Sequence, residues 1–233
     1  MKKFAIVSLA LAAAFAIVPA ASADPVTWTK WGSDTGTGTT SVGTATGTLG
    51  GITVTYSGQT SGLGIQWAAA VGSSYPGKSS TTWVPTSSYV GGDVSNAPPT
   101  NYNLVAMEGG SNLPESITFS SPVINPFIAI WSLGQTGDTA SFVFSNPFTI
   151  EACGPSTEYG GRCITESGDS VLGTEGNGVI QLSGTYSSIG FTTPGYENWY
   201  GFTVGATPEP SSLFLLGTGL LGLGLLVRRQ LAS

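Results

Sequence analysis

The side chains of this 233-residue chain that could perform catalysis are mostly carboxylates, because histidine is absent. Without histidine there is no imidazole general base, no Ser-His-Asp triad and no histidine-ligated zinc. Glycoside hydrolysis remains possible, since it needs only two carboxyl groups about 5–10 Å apart. Four glutamates are candidates for such a pair: Glu108, Glu115, Glu175 and Glu197. Their spacing places no two of them on adjacent strands facing one cleft, so we expect isolated, solvated acids and no enzyme activity.

Patterns for metal, cofactor or nucleic-acid binding are also weak. Four oxygen-bearing side chains could contribute to a calcium site, although they form no Asp-x-Asp-x-Asp loop: Asp34, Asp93, Asn96 and Asp138. We therefore expect no metal and no cofactor. Seven basic and thirteen acidic residues give a net charge of −6. This charge argues against nucleic-acid binding, which needs a basic surface.

The chain has two cysteines, Cys153 and Cys163. In an exported protein, such a pair predicts one disulfide, and closing so short a loop stabilises the fold by about 2–3 kcal/mol. The alternative is a reactive thiol pair, for which Arg162 is the nearby cation.

Aromatic side chains offer a possible glycan site. Sugar rings stack their apolar faces on exposed aromatic rings, while nearby polar groups bond the sugar hydroxyls. Tyr75, Trp83 and Tyr89 lie in loop-like sequence, where binding residues concentrate. The alternative for these three is ordinary loop packing. Trp131 and Trp199 follow or begin apolar strands and are predicted to be in the core.

The elements that would position these residues are short strands. Apolar residues alternate with small or polar ones in seven places: 52–56, 117–119, 128–130, 142–144, 180–182, 189–191 and 202–204. Such runs, separated by Gly, Pro, Asn and Ser, predict an all-β ectodomain over 24–206 that is an antiparallel β-sandwich, jelly-roll-like in topology.

Two stretches of this ectodomain are harder to assign. Ser33–Gly51 is rich in Gly, Thr and Ser and could be a flexible lead-in or a sheet edge with weak register. The stretch 73–99 contains four prolines and predicts loops, with one strand around Thr81–Val84.

The first 23 residues have the pattern of a signal peptide. Lys2 and Lys3 precede an apolar run, and Ala21 and Ala23 stand at the −3 and −1 positions of a cleavage site. Cleavage would leave Asp24 as the first mature residue. The alternative is an uncleaved helical anchor, for which the apolar run is short.

The end of the chain, 207–233, predicts a single transmembrane helix. The 17 uncharged residues 211–227 would cover about 26 Å as a helix, enough for a thin bilayer. Arg228 and Arg229 follow and favour a cytoplasmic location for the tail, with the body outside. One interpretation of this end of the chain is a plain membrane anchor with a proline-rich stalk.

The triplet Pro208-Glu209-Pro210, the Gly- and Leu-rich span and the Arg pair together resemble the PEP-CTERM sorting signal of Gram-negative envelope proteins. This resemblance implies processing by an exosortase, a membrane-embedded cysteine transpeptidase, in a host that makes exopolysaccharide. The body from Ser116 to Gly205 also resembles ectodomains of other PEP-CTERM proteins, which implies a β-sandwich but no activity.

These observations predict an exported protein of the cell surface or extracellular matrix. Signal peptidase and exosortase would be its processing partners, and the membrane would hold it before processing. We expect a structural or adhesive role associated with exopolysaccharide or biofilm. The alternatives are a carbohydrate-binding module with a defined aromatic site and a secreted glycoside hydrolase using two glutamates.

Overall fold

The computed structural model describes residues 25–35, 42–59, 65–66, 82–100, 104–110, 112–157, 159–208, 219, 222 and 228. Within this part of the chain, sixteen strands follow one another: β1 (Thr27–Trp28), β2 (Lys30–Thr35), β3 (Val42–Leu49), β4 (Ile52–Gln59), β5 (Ile65–Gln66), β6 (Leu104–Gly109), β7 (Glu115–Ile124), β8 (Phe127–Leu133), β9 (Ala140–Phe144), β10 (Thr149–Gly154), β11 (Arg162–Cys163), β12 (Thr165–Ser167), β13 (Ser170–Gly173), β14 (Gly176–Gln181), β15 (Thr185–Thr192) and β16 (Tyr196–Ala206). A 3-10 turn, Thr86–Ser88, lies between β5 and β6. The predicted all-β class is confirmed.

The strands form two sheets. In the β16 sheet the order is β10-β14-β8-β16-β6-β5, with β1 on β16 and β11 on β14. In the β15 sheet it is β12-β13-β9-β15-β7-β4-β3-β2. The pairs are antiparallel except β11 beside β14, which is parallel. The finer assignment as a jelly roll stays a prediction.

Aromatic residues join the two sheets across a shared core. Phe202 on β16 meets Trp31 and Tyr56 of the other sheet, with ring centroids 6.4 and 5.4 Å apart. Val54 and Tyr56 are buried on β4, while Thr53 between them and the turn is exposed. All seven predicted runs lie in or at the end of strands. The period-two alternation separates core from solvent on strands such as β4 and β7, whereas 128–130, 180–182 and 202–204 are buried throughout.

The outer face of the β16 sheet is also covered. Residues 82–100 and the segment before β2 lie on it and form a second apolar cluster with Trp131 and Val179. Every residue of β8 is buried as a result. A strand covered on both faces has a continuous apolar sequence instead of an alternating one, which explains Phe127–Leu133.

Two local expectations are settled by these elements. The strand predicted around Thr81–Val84 is wrong, because Thr82 and Trp83 lie in a turn that precedes Pro85. For Ser33–Gly51, the described residues 33–35 and 42–49 belong to β2 and β3, so the sheet-edge alternative holds there.

Among the described residues, no helix is both long enough and apolar enough to cross a membrane. The predicted signal peptide, 1–23, and nearly all of the predicted span, 211–227, lie outside the residues that the structure describes. Gly219 and Gly222 of that span, and Arg228 after it, have helical backbone.

Candidate functional site

The predicted sorting tail leaves the fold at the end of its last strand. β16 lies between β6 and β8 inside its sheet, and it ends at Ala206. Pro208, the first residue of the predicted motif, follows after Thr207 alone. Glu209, Pro210 and Arg229 lie outside the described residues, and Arg228 is exposed. The motif is therefore joined to the folded body with no intervening stalk.

Strand β1, near the start of the folded body, pairs with the end of β16, from which the tail leaves. In β1, Thr27 pairs with Ala206 and Trp28 with Gly205. Asn96 fixes this segment through its side chain, which accepts the Val26 N–H (2.6 Å) and donates to the Val26 carbonyl (3.0 Å). Both ends of the body consequently leave side by side. The predicted cleavage residues Ala21, Ala23 and Asp24 lie just beyond, outside the described residues.

Gly205 is needed for this arrangement. A Cβ at Gly205 would come within 2.6 Å of the Trp28 ring and 2.7 Å of Val26. The absence of a side chain there lets the Trp28 ring lie flat on the end of β16, where it also donates from its indole N–H to the Asn96 carbonyl at 3.1 Å.

A shallow groove of about 410 Å³ surrounds the exit. Its walls come from the β3–β4 turn, the end of β7 and the first residues of the tail, including Leu49, Ile52, Pro122, Ile124, Thr207 and Pro208. Ile124, which lines this groove, is 49% exposed.

The predicted disulfide is confirmed. Cys153 on β10 and Cys163 on β11 are bonded, with Cα atoms 4.6 Å apart. They lie opposite Gly178 and Asn177 of β14, respectively. A Cβ on Gly178 would lie 2.9 Å from that of Cys153, so the glycine makes room for the bridge.

A second cleft of about 410 Å³, which we call the disulfide cleft, lies beside the Cys153–Cys163 bridge. It is lined by Thr136, Gly137, Tyr159, Gly161, Arg162, Thr174 and Glu175. Tyr159 is 37% exposed, and its ring centroid is 5.6 Å from that of buried Trp131. The cleft therefore brings together the partly exposed Tyr159 ring, which contacts Trp131, and the polar side chains of its lining. These are the Arg162 cation, the Glu175 carboxylate and the hydroxyl groups of Thr136 and Thr174.

The predicted aromatic glycan site is wrong as placed. Trp83 and Tyr89 are fully buried with their rings edge to face at 5.2 Å, and the Tyr89 hydroxyl donates to Asn177 Oδ1 at 3.1 Å. They face the β16 sheet because its outer face is apolar and must be covered. The loop-packing alternative holds for both, while Tyr75 lies outside the described residues. Trp131 is in the core as predicted.

The expectation of solvated glutamates is wrong for Glu115 and Glu197, which are both buried. Thr193 Oγ1 donates to Glu115 Oε1 at 2.5 Å, and Tyr56 Oη lies 2.9 Å from Glu115 Oε2. Burial raises the pKa of Glu115 to about 7, although both hydrogen bonds favour the charged form and lower it. Glu197 Oε2 accepts the Gly134 N–H at 3.2 Å.

Tyr200 lies near both of these acids. Burial first, and then the charges of Glu115 and Glu197, raise the pKa of its hydroxyl well above its ordinary value. Glu115 follows the same alternation as the core residues Ile117 and Phe119, so its inward direction could be deduced from the sequence pattern.

Of the other acids considered, Glu175 lines the disulfide cleft and Glu108 is half-buried on β6. The described residues contain no cluster of three or more His, Cys, Asp or Glu side chains that could hold a metal ion. Glu175 Oε2 accepts from Ser132 Oγ at 2.6 Å.

Comparison with family models matches residues 206–230 to the PEP-CTERM protein-sorting motif. Comparisons with curated proteins and with solved structures gave no match. The match begins at the last residue of β16 and includes the proline-glutamate-proline triplet and the basic pair. The chain therefore carries a PEP-CTERM sorting motif directly at the end of its folded body, as an exported substrate of an exosortase does.

Proposed function

We propose that this chain is a non-catalytic component of the cell surface or matrix of a Gram-negative bacterium. Residues 211–227 hold the body at the outer face of the inner membrane, with Arg228 and Arg229 on the cytoplasmic side, until the exosortase cuts near the motif. The observation that supports this most is the sorting motif at 206–230, which follows the last strand immediately.

The experiment is mass spectrometry of the mature protein isolated from its host. We expect the mature protein to begin at Asp24 and to lack the basic pair Arg228-Arg229. Glu209→Ala together with Pro210→Ala should retain the tail, whereas the neighbouring change Ser212→Ala should be processed normally. A wild-type mature protein that still contains residues 227–229 would contradict the processing step.

A structural or adhesive role beside exopolysaccharide fits the body's surface. Residues 24–206 contain three basic and twelve acidic residues, a net charge of −9 that favours solubility in a hydrated matrix. Affinity electrophoresis of the processed protein through the host's exopolysaccharide tests this association. Retardation supports it, and unchanged mobility contradicts it.

The buried acids support the non-catalytic part of the proposal. Hydroxyl groups of Tyr56 and Thr193 surround Glu115, and Glu197 accepts a backbone N–H, so each carboxyl is engaged inside the fold. A hydrolase with two glutamates needs them accessible to a sugar. Incubation with the exopolysaccharide should release no reducing ends, and their release would favour the hydrolase.

A defined carbohydrate site is the second candidate, and the disulfide cleft favours it. Tyr159 offers an exposed ring, while Arg162 and Glu175 offer polar groups to the sugar hydroxyls. Tyr159→Ala should weaken glycan binding by about 1–3 kcal/mol if this ring is the anchor. Tyr196, which is 54% exposed outside the cleft, provides the matched control Tyr196→Ala. Equal binding by both variants would remove the cleft as the site.

A further inference from the structure

The end of the body from which the tail leaves has no charged side chain in the turns that form it. We define this tail pole by residues 25–27, 49–52, 120–126, 182–185 and 205–208, none of which is Asp, Glu, Lys or Arg. Strand pairing places them together, because Phe127 lies beside both Gly205 and Gln181, and Ile124 lies beside Thr185. Asp24 and Glu209, which flank this set in the sequence, lie outside the described residues; in a body of charge −9, the uncharged turns of the described pole are a distinct surface.

The tail pole also exposes apolar groups. Ile124 is 49% exposed, Pro122 is exposed, and both line the groove from which Thr207 and Pro208 leave. Lys30, an exposed cation, borders the pole through its pairing with Thr48 at the end of β3. An uncharged, partly apolar surface with a neighbouring cation is compatible with phospholipid headgroups, whereas acidic faces would be repelled by anionic lipids.

The length of the tail brings this surface to the membrane. The predicted span begins at Ser211, five residues after Ala206, and five extended residues reach at most about 17 Å. The headgroup layer itself takes up about 5–8 Å on each side of the bilayer. With 211–227 inserted, the linker allows the pole to lie at most about 9–12 Å beyond the headgroup layer, so even a weak contact is favoured by the tether.

We infer that the tail pole rests on the phospholipid headgroup layer, with Ile124 at the contact, until the sorting motif is cut. The inference depends on the proposed function through the insertion of 211–227. It identifies the partner of this surface as lipid.

The test uses the full chain in vesicles of phosphatidylethanolamine and phosphatidylglycerol that contain headgroup spin labels. A fluorophore is attached through Ser121→Cys at the pole or, as a control, through Thr136→Cys at the opposite end; both positions are exposed. The native cysteines are bonded to each other and do not react. We expect at least twofold stronger quenching at position 121 than at position 136.

Ile124→Asp in the Ser121→Cys background should reduce this quenching at least twofold, because it places a charge where the pole meets lipid. Ile124→Ser, which removes the apolar side chain without adding a charge, provides a milder variant should the aspartate disturb folding. A chain that does not float with vesicles would overturn both the proposed anchoring and this inference. A chain that floats with equal quenching at both positions would overturn the inference alone. If two Ser121→Cys chains cross-link to each other and position 121 shows no quenching by lipid, a second copy of the chain occupies the pole. That result would also overturn the inference.

Discussion

Glu115 makes the stability of this fold depend on pH in a definite direction. Burial raises its pKa to about 7 from an ordinary value of 4.5, so the folded protein binds a proton there that the unfolded chain releases. This contribution to stability is complete below pH 4.5 and is lost as the pH rises to about 7. A shift of this size corresponds to a loss on the order of 3 kcal/mol.

Glu115→Gln isolates this effect, because glutamine has nearly the same shape and cannot ionise. The side chains near the site, Tyr56 and Tyr200, keep their protons throughout, since burial raises both of their pKa values well above 10.0. We therefore expect the variant to be about as stable as the native protein at pH 4.5 and more stable by about 2–3 kcal/mol at pH 8.

Urea unfolding of the processed protein between pH 4.5 and 8 measures both chains. The informative quantity is the difference in unfolding free energy between them, because other groups titrate equally in each. A difference that stays constant over this range, or that favours the native protein at pH 8, would refute the reasoning. Glu151→Gln makes the same chemical change at a half-buried position of the protein surface and serves as the comparison variant.

Two further predictions concern the Cys153–Cys163 disulfide and the hydrogen bonds from Asn96 to Val26. Cys153→Ser together with Cys163→Ser should cost about 2–3 kcal/mol of stability in chemical denaturation, and reductant should lower the stability of the native protein to the same level. An unchanged midpoint would show that the bridge is not formed in solution. Asn96→Ala removes two hydrogen bonds to Val26 and should cost about 1–3 kcal/mol, with faster protease cleavage near residue 26. Ser87→Ala, at an exposed position of the same covering segment, serves as its control, and equal cleavage of the two variants would contradict the role of Asn96.

The sequence predicts strands such as β4 and β7 well, because one face of each is buried and the other is more exposed. Val54 and Tyr56 alternate with threonines, and the same spacing places Glu115 on the buried face with Ile117. The expectation of solvated acids rests on the usual exposure of acidic side chains. It is wrong for Glu115, whose position in the local alternation indicates burial. Glu197 could not be placed in this way, because the pairing of β16 shifts register between Tyr196 and Tyr200.

The misplacement of Trp83 and Tyr89 has a different cause. Their segment has the composition of a loop, and local sequence does not tell whether a loop covers another surface. The relevant signal lies on β8, where seven successive residues are buried and the apolar run Phe127–Trp131 does not alternate. Such a strand needs a cover on both faces, and residues 82–100 provide the second one. Long-range packing, not local propensity, therefore decides where these aromatic rings lie.

The position of β16 links the fold to its sorting signal. Because β16 pairs with β8 on one side and β6 on the other, the β16 sheet is incomplete until residues up to Ala206 are available. The matched sorting motif begins at Ala206 itself and its Pro-Glu-Pro triplet begins two residues later, so almost no chain separates the folded sheet from the sorting signal. Pulling on the tail would act first on Ala206 and Gly205 and their partners in β1, and then on an interior strand whose loss would divide the sheet. If the exosortase cuts within the Pro208–Pro210 triplet, as the proposed function requires, the cut falls beyond the last strand and leaves both sheets intact.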